Sequence, residues 1–231
     1  MGFYVNEDAV IAWWWQVALI GLYVGSVLGI AQWLASRGMT DERTRKFVHI
    51  ATGNIILLAW WIAVPLWLAL AFGATFCAVT LLSYRYRFLG SVGGVDRKSW
   101  GTFFYSLSIT LLIAFYWPQN LQVVAAVGIL AMTWGDAVAA LVGQTWGRRE
   151  YKVLGMRKTA EGSLAMAVVS FAVCLLLLGF TCGWSLPMVL SALAIAVAAT
   201  GLEVISVGGI DNLTVPLGSA LLTQGLIQAF L

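Results

Sequence analysis

The chain has 231 residues, of which 61% are hydrophobic and 10% charged, with a formal net charge of +3. Its mean hydropathy is +0.90. That much apolar surface excludes a water-soluble domain, and so small a net charge offers no basis for binding nucleic acid.

A helix needs roughly 20 apolar residues to cross the hydrocarbon core. Hydropathy marks eight candidate spans, at about 11–35, 47–64, 66–83, 102–117, 121–143, 163–182, 185–204 and 214–230. The count falls to seven if one of them is re-entrant. The start, Met1 to Asp8, has acidic residues and no basic flank, so no cleavable leader is expected there. After the first span comes a basic stretch at 37–46, which leads into Phe47, Val48 and His49 of the second. Pro65 separates the second and third spans, and a second basic stretch at 85–98 precedes the fourth. Pro118-Gln119-Asn120 leads into the fifth span, which contains Asp136. The third basic stretch, 148–158, precedes the sixth. Cys182-Gly183-Trp184 joins the sixth to the seventh, and Gly208 to Thr214 precedes the last.

All thirteen Lys and Arg residues lie in those three stretches. Basic residues collect on the cytoplasmic side, so the N-terminus is expected outside, with the basic loops and any site among them facing the cytoplasm. The tryptophans agree, because indole rings favour the headgroup level. Trp13, Trp14, Trp15, Trp60, Trp61, Trp67, Trp117 and Trp184 mark the outer ends; Trp33, Trp100 and Trp146 mark the inner ends. No linker or internal repeat interrupts the chain. The expected fold is therefore all-α, one polytopic membrane helical bundle over residues 1–231. Cys77, Cys174 and Cys182 lack metal or redox spacing and are assigned to packing.

Asp136 stands out because a carboxylate inside a membrane is costly unless paired or facing water. Ala139, Ala140, Gly143 and Gly147 follow it on one helical stripe. The stripe suits either close helix packing or the approach of a polar ligand. Beyond it, glycines, Lys and Arg between Gly147 and Gly162 suit phosphate, and Glu161 with Asp136 suits a divalent cation. The alternative for this segment is a solvated loop, with Glu161 as a first-turn helix acid. Arg45, Lys46, His49, Thr52 and Gly53 share one helix face. His49 alone would read as an interfacial histidine bonded to a carbonyl. Asp211, Asn212 and Thr214 suit helix caps as well as a site. The basic clusters suit anionic lipid headgroups as well as a nucleotide.

Asp136-x-x-Ala139-x3-Gly143-x3-Gly147, with Lys152-x5-Lys158-Thr159-x-Glu161-Gly162, resembles the CTP-binding signature of the dolichol kinase and phytol kinase family. Arg45-Lys46-x-x-His49-x3-Gly53 is similar to another element of those enzymes. Glu203 with Asp211-Asn212-x3-Pro216 is similar to their closing segment. The spacing departs from the family's pattern between Gly147 and Lys152. The short chain fits the phytol kinase branch. The resemblance implies transfer of the γ-phosphate of CTP to the hydroxyl of a prenyl alcohol in the bilayer, of the phytol, geranylgeraniol or farnesol type. It implies His49, Asp136 and Asp211 as catalytic groups and Mg²⁺ held by Asp136, Glu161 and Asp211. Nucleotide and phosphate contacts fall to Arg45, Lys46, Arg97, Lys98, Gly143, Gly147, Lys152, Lys158, Thr159 and Gly162. Glu203 and Asn212 are expected to shape the metal or alcohol site. The competing functions are a CTP-dependent diacylglycerol kinase, a phosphatidate cytidylyltransferase-like enzyme, a transporter and a structural membrane subunit.

Overall fold

The structure, a computed structural model, describes residues 13–86 and 100–230. Among these residues eight helices run in order: α1 (Trp14–Ser36), α2 (Asp41–Trp61), α3 (Leu66–Tyr86), α4 (Gly101–Tyr116), α5 (Gln122–Trp146), α6 (Ala160–Cys182), α7 (Leu186–Val204) and α8 (Asp211–Phe230). A helix stands at each of the eight expected spans. Six are long and apolar enough to cross a membrane. Of the other two, α4 has 16 residues, about 24 Å at the helical rise. The second, α2, carries charge in its first half. The chain is a polytopic helical membrane bundle.

Three boundaries differ from the sequence expectation. Helix α2 begins six residues early, because Asp41 and Glu42 in its first turn favour the positive end of the helix dipole. Arg43, Arg45 and Lys46 therefore ride on the helix and not in a loop. At the other end of the chain, α8 starts at Asp211, so Asp211 and Asn212 belong to its first turn and Pro216 sits inside the helix. The segment after α5 was expected as a basic loop. Instead it folds into an antiparallel hairpin, β1 (Glu150–Val153) with β2 (Met156–Thr159), in the register Glu150 to Thr159 and Val153 to Met156. The turn is made by Leu154 and Gly155, both at positive φ.

Helix α5 forms the centre. Its apolar window is 72% buried, against 17–33% for the other five spans. Residues 124 to 133 are buried throughout. They pack against α6, α8 and α2. Close approach needs small residues, as membrane helices use in place of a hydrophobic drive. A Cβ on Gly128 would lie 2.5 Å from the Pro216 carbonyl of α8, and one on Gly135 would lie 2.5 Å from Met166 and Ser170 of α6. Leu22, Phe180, Val197 and Leu221 point outward and are more than half exposed, as lipid-facing residues should be. At one end, Trp13 and Trp67 stack edge to face, and Trp117 donates to the Val64 carbonyl at 3.0 Å. Trp33, Trp100 and Trp146 lie exposed at the opposite end, so the expected indole belts are present.

The tightest crossing is at Gly53 of α2. A Cβ there would stand 2.3 Å from both Thr133 Oγ1 and the Tyr105 hydroxyl. Both neighbours are buried on separate helices and have little room to yield. Gly53→Ala should lower stability by about 1–3 kcal/mol, the usual overpacking range, read as a lower melting temperature in detergent. Gly21→Ala, with nothing within 4 Å, should hold or raise that temperature.

Candidate active site

The site begins on the face of α2 that carries Arg45, Lys46, His49 and Gly53. Lys46 is 4% exposed, and its ammonium donates to Asp136 Oδ2 on α5. This ion pair answers the cost of placing Asp136 in a membrane helix. One turn on, His49 Nε2 lies 3.8 Å from the same carboxylate oxygen. That is too far for a hydrogen bond, and among the described residues the buried Nε2 has no hydrogen-bond partner. The imidazole is held in place all the same. It stacks on the Tyr105 ring at 4.2 Å between centroids, and the Tyr105 hydroxyl bonds the His49 carbonyl at 3.2 Å. Thr133 Oγ1 sits 2.6 Å from that hydroxyl and donates to the Ile129 carbonyl.

A cavity of about 60 Å³ opens beside this group. Its polar lining is Arg45, His49, Thr52, Thr102, Asp136 and Asn212; Val48, Phe76 and the Tyr105 ring form its apolar side. It has room for a hydroxyl group or a few waters and not for a nucleotide. Arg45 stands at the rim in a bidentate pair with Glu42 at 2.7 and 3.0 Å. Asp211, at the start of α8, lies within electrostatic reach of Asp136, Lys46 and Lys158.

Lys158 arrives from β2. Its ammonium donates to the backbone carbonyl of Glu203 and to Glu203 Oε1, the latter at 2.5 Å. Both side chains are about 15% exposed. Glu203, which has no basic neighbour in sequence, thus finds one 45 residues away. This second, partly buried pair joins the hairpin to the end of α7.

Not every expected site residue converges here. Glu161 sits at the base of the hairpin, where Oε2 accepts from the backbone N–H groups of Arg148 at 3.1 Å and Arg149 at 3.3 Å. Among the described residues no three His, Cys, Asp or Glu side chains come together as a metal-ligand set, so Asp136, Glu161 and Asp211 do not form one. Lys152 is exposed on the hairpin, opposite Arg157. Gly143, Gly147, Thr159 and Gly162 make the crossing of α5 with α6. A Cβ on Gly162 would lie 3.0 Å from the Ala139 carbonyl, and Thr159 caps α6 by accepting from Gly162 N–H at 3.1 Å. In this arrangement the small-residue stripe serves helix packing. Arg97 and Lys98 lie outside the described residues.

Sequence reasoning missed Tyr105, Thr133 and Phe76. A signal for the first was present. Tyr105, Ser106 and Ser108 put three hydroxyls into a 16-residue apolar helix, and all three are buried. Ser106 and Ser108 bond to carbonyls of their own helix at 2.8 and 2.9 Å, and Ser106 also meets Thr80 of α3 at 3.1 Å. Tyr105 is the one that reaches His49 of α2 and Thr133 of α5.

The chain is 44% identical to a phytol kinase of Synechocystis over 223 residues, which cover 96% of each protein. It is 26% identical to a probable chloroplastic phytol kinase of Oryza sativa over 81% of the chain and 67% of that protein. A stretch of 53 residues, 23% of the chain and 10% of the relative, is 45% identical to the dolichol kinase of Saccharomyces cerevisiae. No family model matches the chain. No solved structure matches it either. A likeness of 44% over 96% of the chain to a phytol kinase, in a membrane bundle that pairs Asp136 with Lys46 beside His49, places the chain in the phytol kinase family.

Proposed function

We propose that the protein transfers the γ-phosphate of CTP to the hydroxyl of a prenyl alcohol dissolved in the bilayer. The observation that carries this is the 3.8 Å gap between His49 Nε2 and Asp136 Oδ2, beside a cavity large enough for a hydroxyl. An alcohol oxygen beside that gap donates its proton to Nε2, which among the described residues has no other partner. The oxygen then bonds to the γ-phosphorus as the bridging bond to the β-phosphate breaks, and CDP leaves with that electron pair. Phe76 and Val48 face the first carbons of the alcohol, and its chain extends into lipid. The hydroxyl sits at the helix ends that also bear the basic clusters, which is the cytoplasmic side in this reading. CTP approaches from there.

Phosphoryl transfer depends mainly on positioning and on neutralising charge. Arg45, Lys46 and Lys158 supply cations around the mouth of the cavity, and Arg97 and Lys98 are assigned to the same task from the sequence. The carboxylates fit Mg²⁺, which is commonly held by one or two protein carboxylates plus substrate phosphates; Asp136 and Asp211 would hold it. When bound, it neutralises charge on the transferring phosphate. Lys46 already balances Asp136 in the resting site, and it is free to turn to the nucleotide once other cations reach the carboxylate. Glu203 positions Lys158.

Four outcomes follow. Purified protein in nanodiscs, supplied with γ-labelled CTP and phytol or geranylgeraniol, should release CDP and a labelled prenyl monophosphate. Release of pyrophosphate, or labelling of diacylglycerol in preference to the prenyl alcohols, would overturn the proposal. His49→Gln should lower kcat by about 10²–10⁴-fold, the usual weight of a general base, with little change in KM. Asp136→Asn, in a preparation that still melts cooperatively, should lose nearly all activity. Glu203→Gln should raise KM for CTP more than it lowers kcat, and Glu203→Asp should restore part of the loss. Equal effects on both constants would show that Glu203 does not act through Lys158.

A further inference from the structure

The β1–β2 hairpin carries features that phosphoryl transfer leaves unused. Strand alternation divides it into two faces. Tyr151, Val153, Met156 and Lys158 share one; Lys152 and Arg157 stand directly opposite each other on the second. The first face turns toward the helix ends. Tyr151 meets Ser163 of α6 at 2.5 Å between hydroxyl oxygens, and Lys158 holds Glu203 of α7. Beyond those contacts the same face ends in aliphatic side chains, with Met156 41% exposed and Leu154 in the turn 69% exposed.

Two local choices are unfavourable for a hairpin in water. Leu154 has φ 48° and Gly155 has φ 81°. A two-residue turn with both φ values positive favours Asn, Asp or Gly at its first position, because a longer side chain is strained in the left-handed region. Water gives an exposed leucine no compensation; hydrocarbon does. On the second face Glu150 stands two residues from Lys152, yet the two cations directly across the strand pair still repel, and a further anionic partner would relieve this.

We propose that the hairpin is an amphipathic anchor, with Leu154 and Met156 set into the bilayer interface and Lys152 and Arg157 bound to anionic lipid headgroups. Covalent geometry puts it at the right depth. It springs from the ends of two spanning helices, next to the exposed Trp146, and a four-residue strand reaches only ~13 Å. The four side chains match the two layers they meet, aliphatic against acyl chain and cation against phosphate. The anchor also holds β2, and with it Lys158, over the mouth of the site. This inference rests on the fold and not on the transfer reaction.

The test uses the full-length protein in nanodiscs, with Cys77 and Cys182 changed to Ala and the buried Cys174 retained. A nitroxide is attached at Leu154→Cys or at Lys152→Cys, and its collisions with oxygen and with a water-soluble nickel chelate are compared. The label at 154 should favour oxygen and the label at 152 the chelate. The oxygen preference at 154 should grow when phosphatidylglycerol is added to phosphatidylcholine. Lys152→Gln or Arg157→Gln should each weaken that lipid-dependent gain about fivefold, the weight of one cation at an anionic surface. Leu154→Asn suits the turn better, so the hairpin stays folded, yet a label at Met156→Cys should lose its oxygen preference. Three results would overturn the proposal: chelate access at 154 in both lipids, protection at 154 from both probes, or a preference that follows added CTP and not lipid.

Discussion

An aspartate inside a membrane helix is the constraint around which this bundle is arranged. Asp136 would cost several kcal/mol in hydrocarbon without a counter-charge, and Lys46 supplies it from α2. The pairing has consequences for both helices. It draws the charged first half of α2 against the core, so α2 falls short of the apolar run that defines a span on hydropathy alone. It also requires α2 to approach α5 closely. Gly53, two turns along from Lys46, makes that approach possible under Thr133 and Tyr105. Removing either charge would leave the other buried and alone, which costs far more than the pair itself contributes.

The same approach creates the reactive geometry. With α2 held against α5, His49 falls one turn from Lys46 and faces the same carboxylate oxygen across 3.8 Å. Tyr105 fixes the imidazole by stacking on it and by bonding its backbone carbonyl. Tyr105 and Thr133 therefore link packing to chemistry. The Tyr105 and Thr133 hydroxyls, which would be expensive in lipid, are satisfied by each other and by backbone carbonyls, and His49 lines the cavity. The second pair, the partly buried Lys158 with Glu203, does for the hairpin what Lys46 with Asp136 does for α2: it fixes a cation at the helix ends where both elements meet.

Some of this was legible beforehand. Asp136, Glu203 and His49 stood out because ionisable groups in or near apolar runs require partners, and each lies in a partly buried electrostatic cluster. Glu161 was less legible. A glutamate at the start of a helix serves local backbone amides as readily as a metal, and here it binds Arg148 and Arg149. The small residues from Ala139 to Gly147 allowed two readings because close packing and ligand approach demand the same absence of side chain. Thr159 and Gly162 occupy the space those residues leave. The hairpin escaped notice because two four-residue strands give too short an alternation to separate from a basic loop.

Hydropathy and the distribution of basic residues act locally along a chain, so the sequence by itself determined the eight helices, their order and the end of the bundle that gathers the cations. The family likeness was legible for the same reason, in motifs that each lie within a short stretch. Partner choice is different. Lys46 meets Asp136 across 90 residues and Lys158 meets Glu203 across 45, while Tyr105 reaches His49 across 56. Several lysines and arginines stood in the three basic stretches with equal claim on each carboxylate. Only the packing of α2, α4 and the hairpin onto α5 and α7 decided between them, because electrostatic pairing inside a membrane is set by which side chains the helix crossings bring within reach.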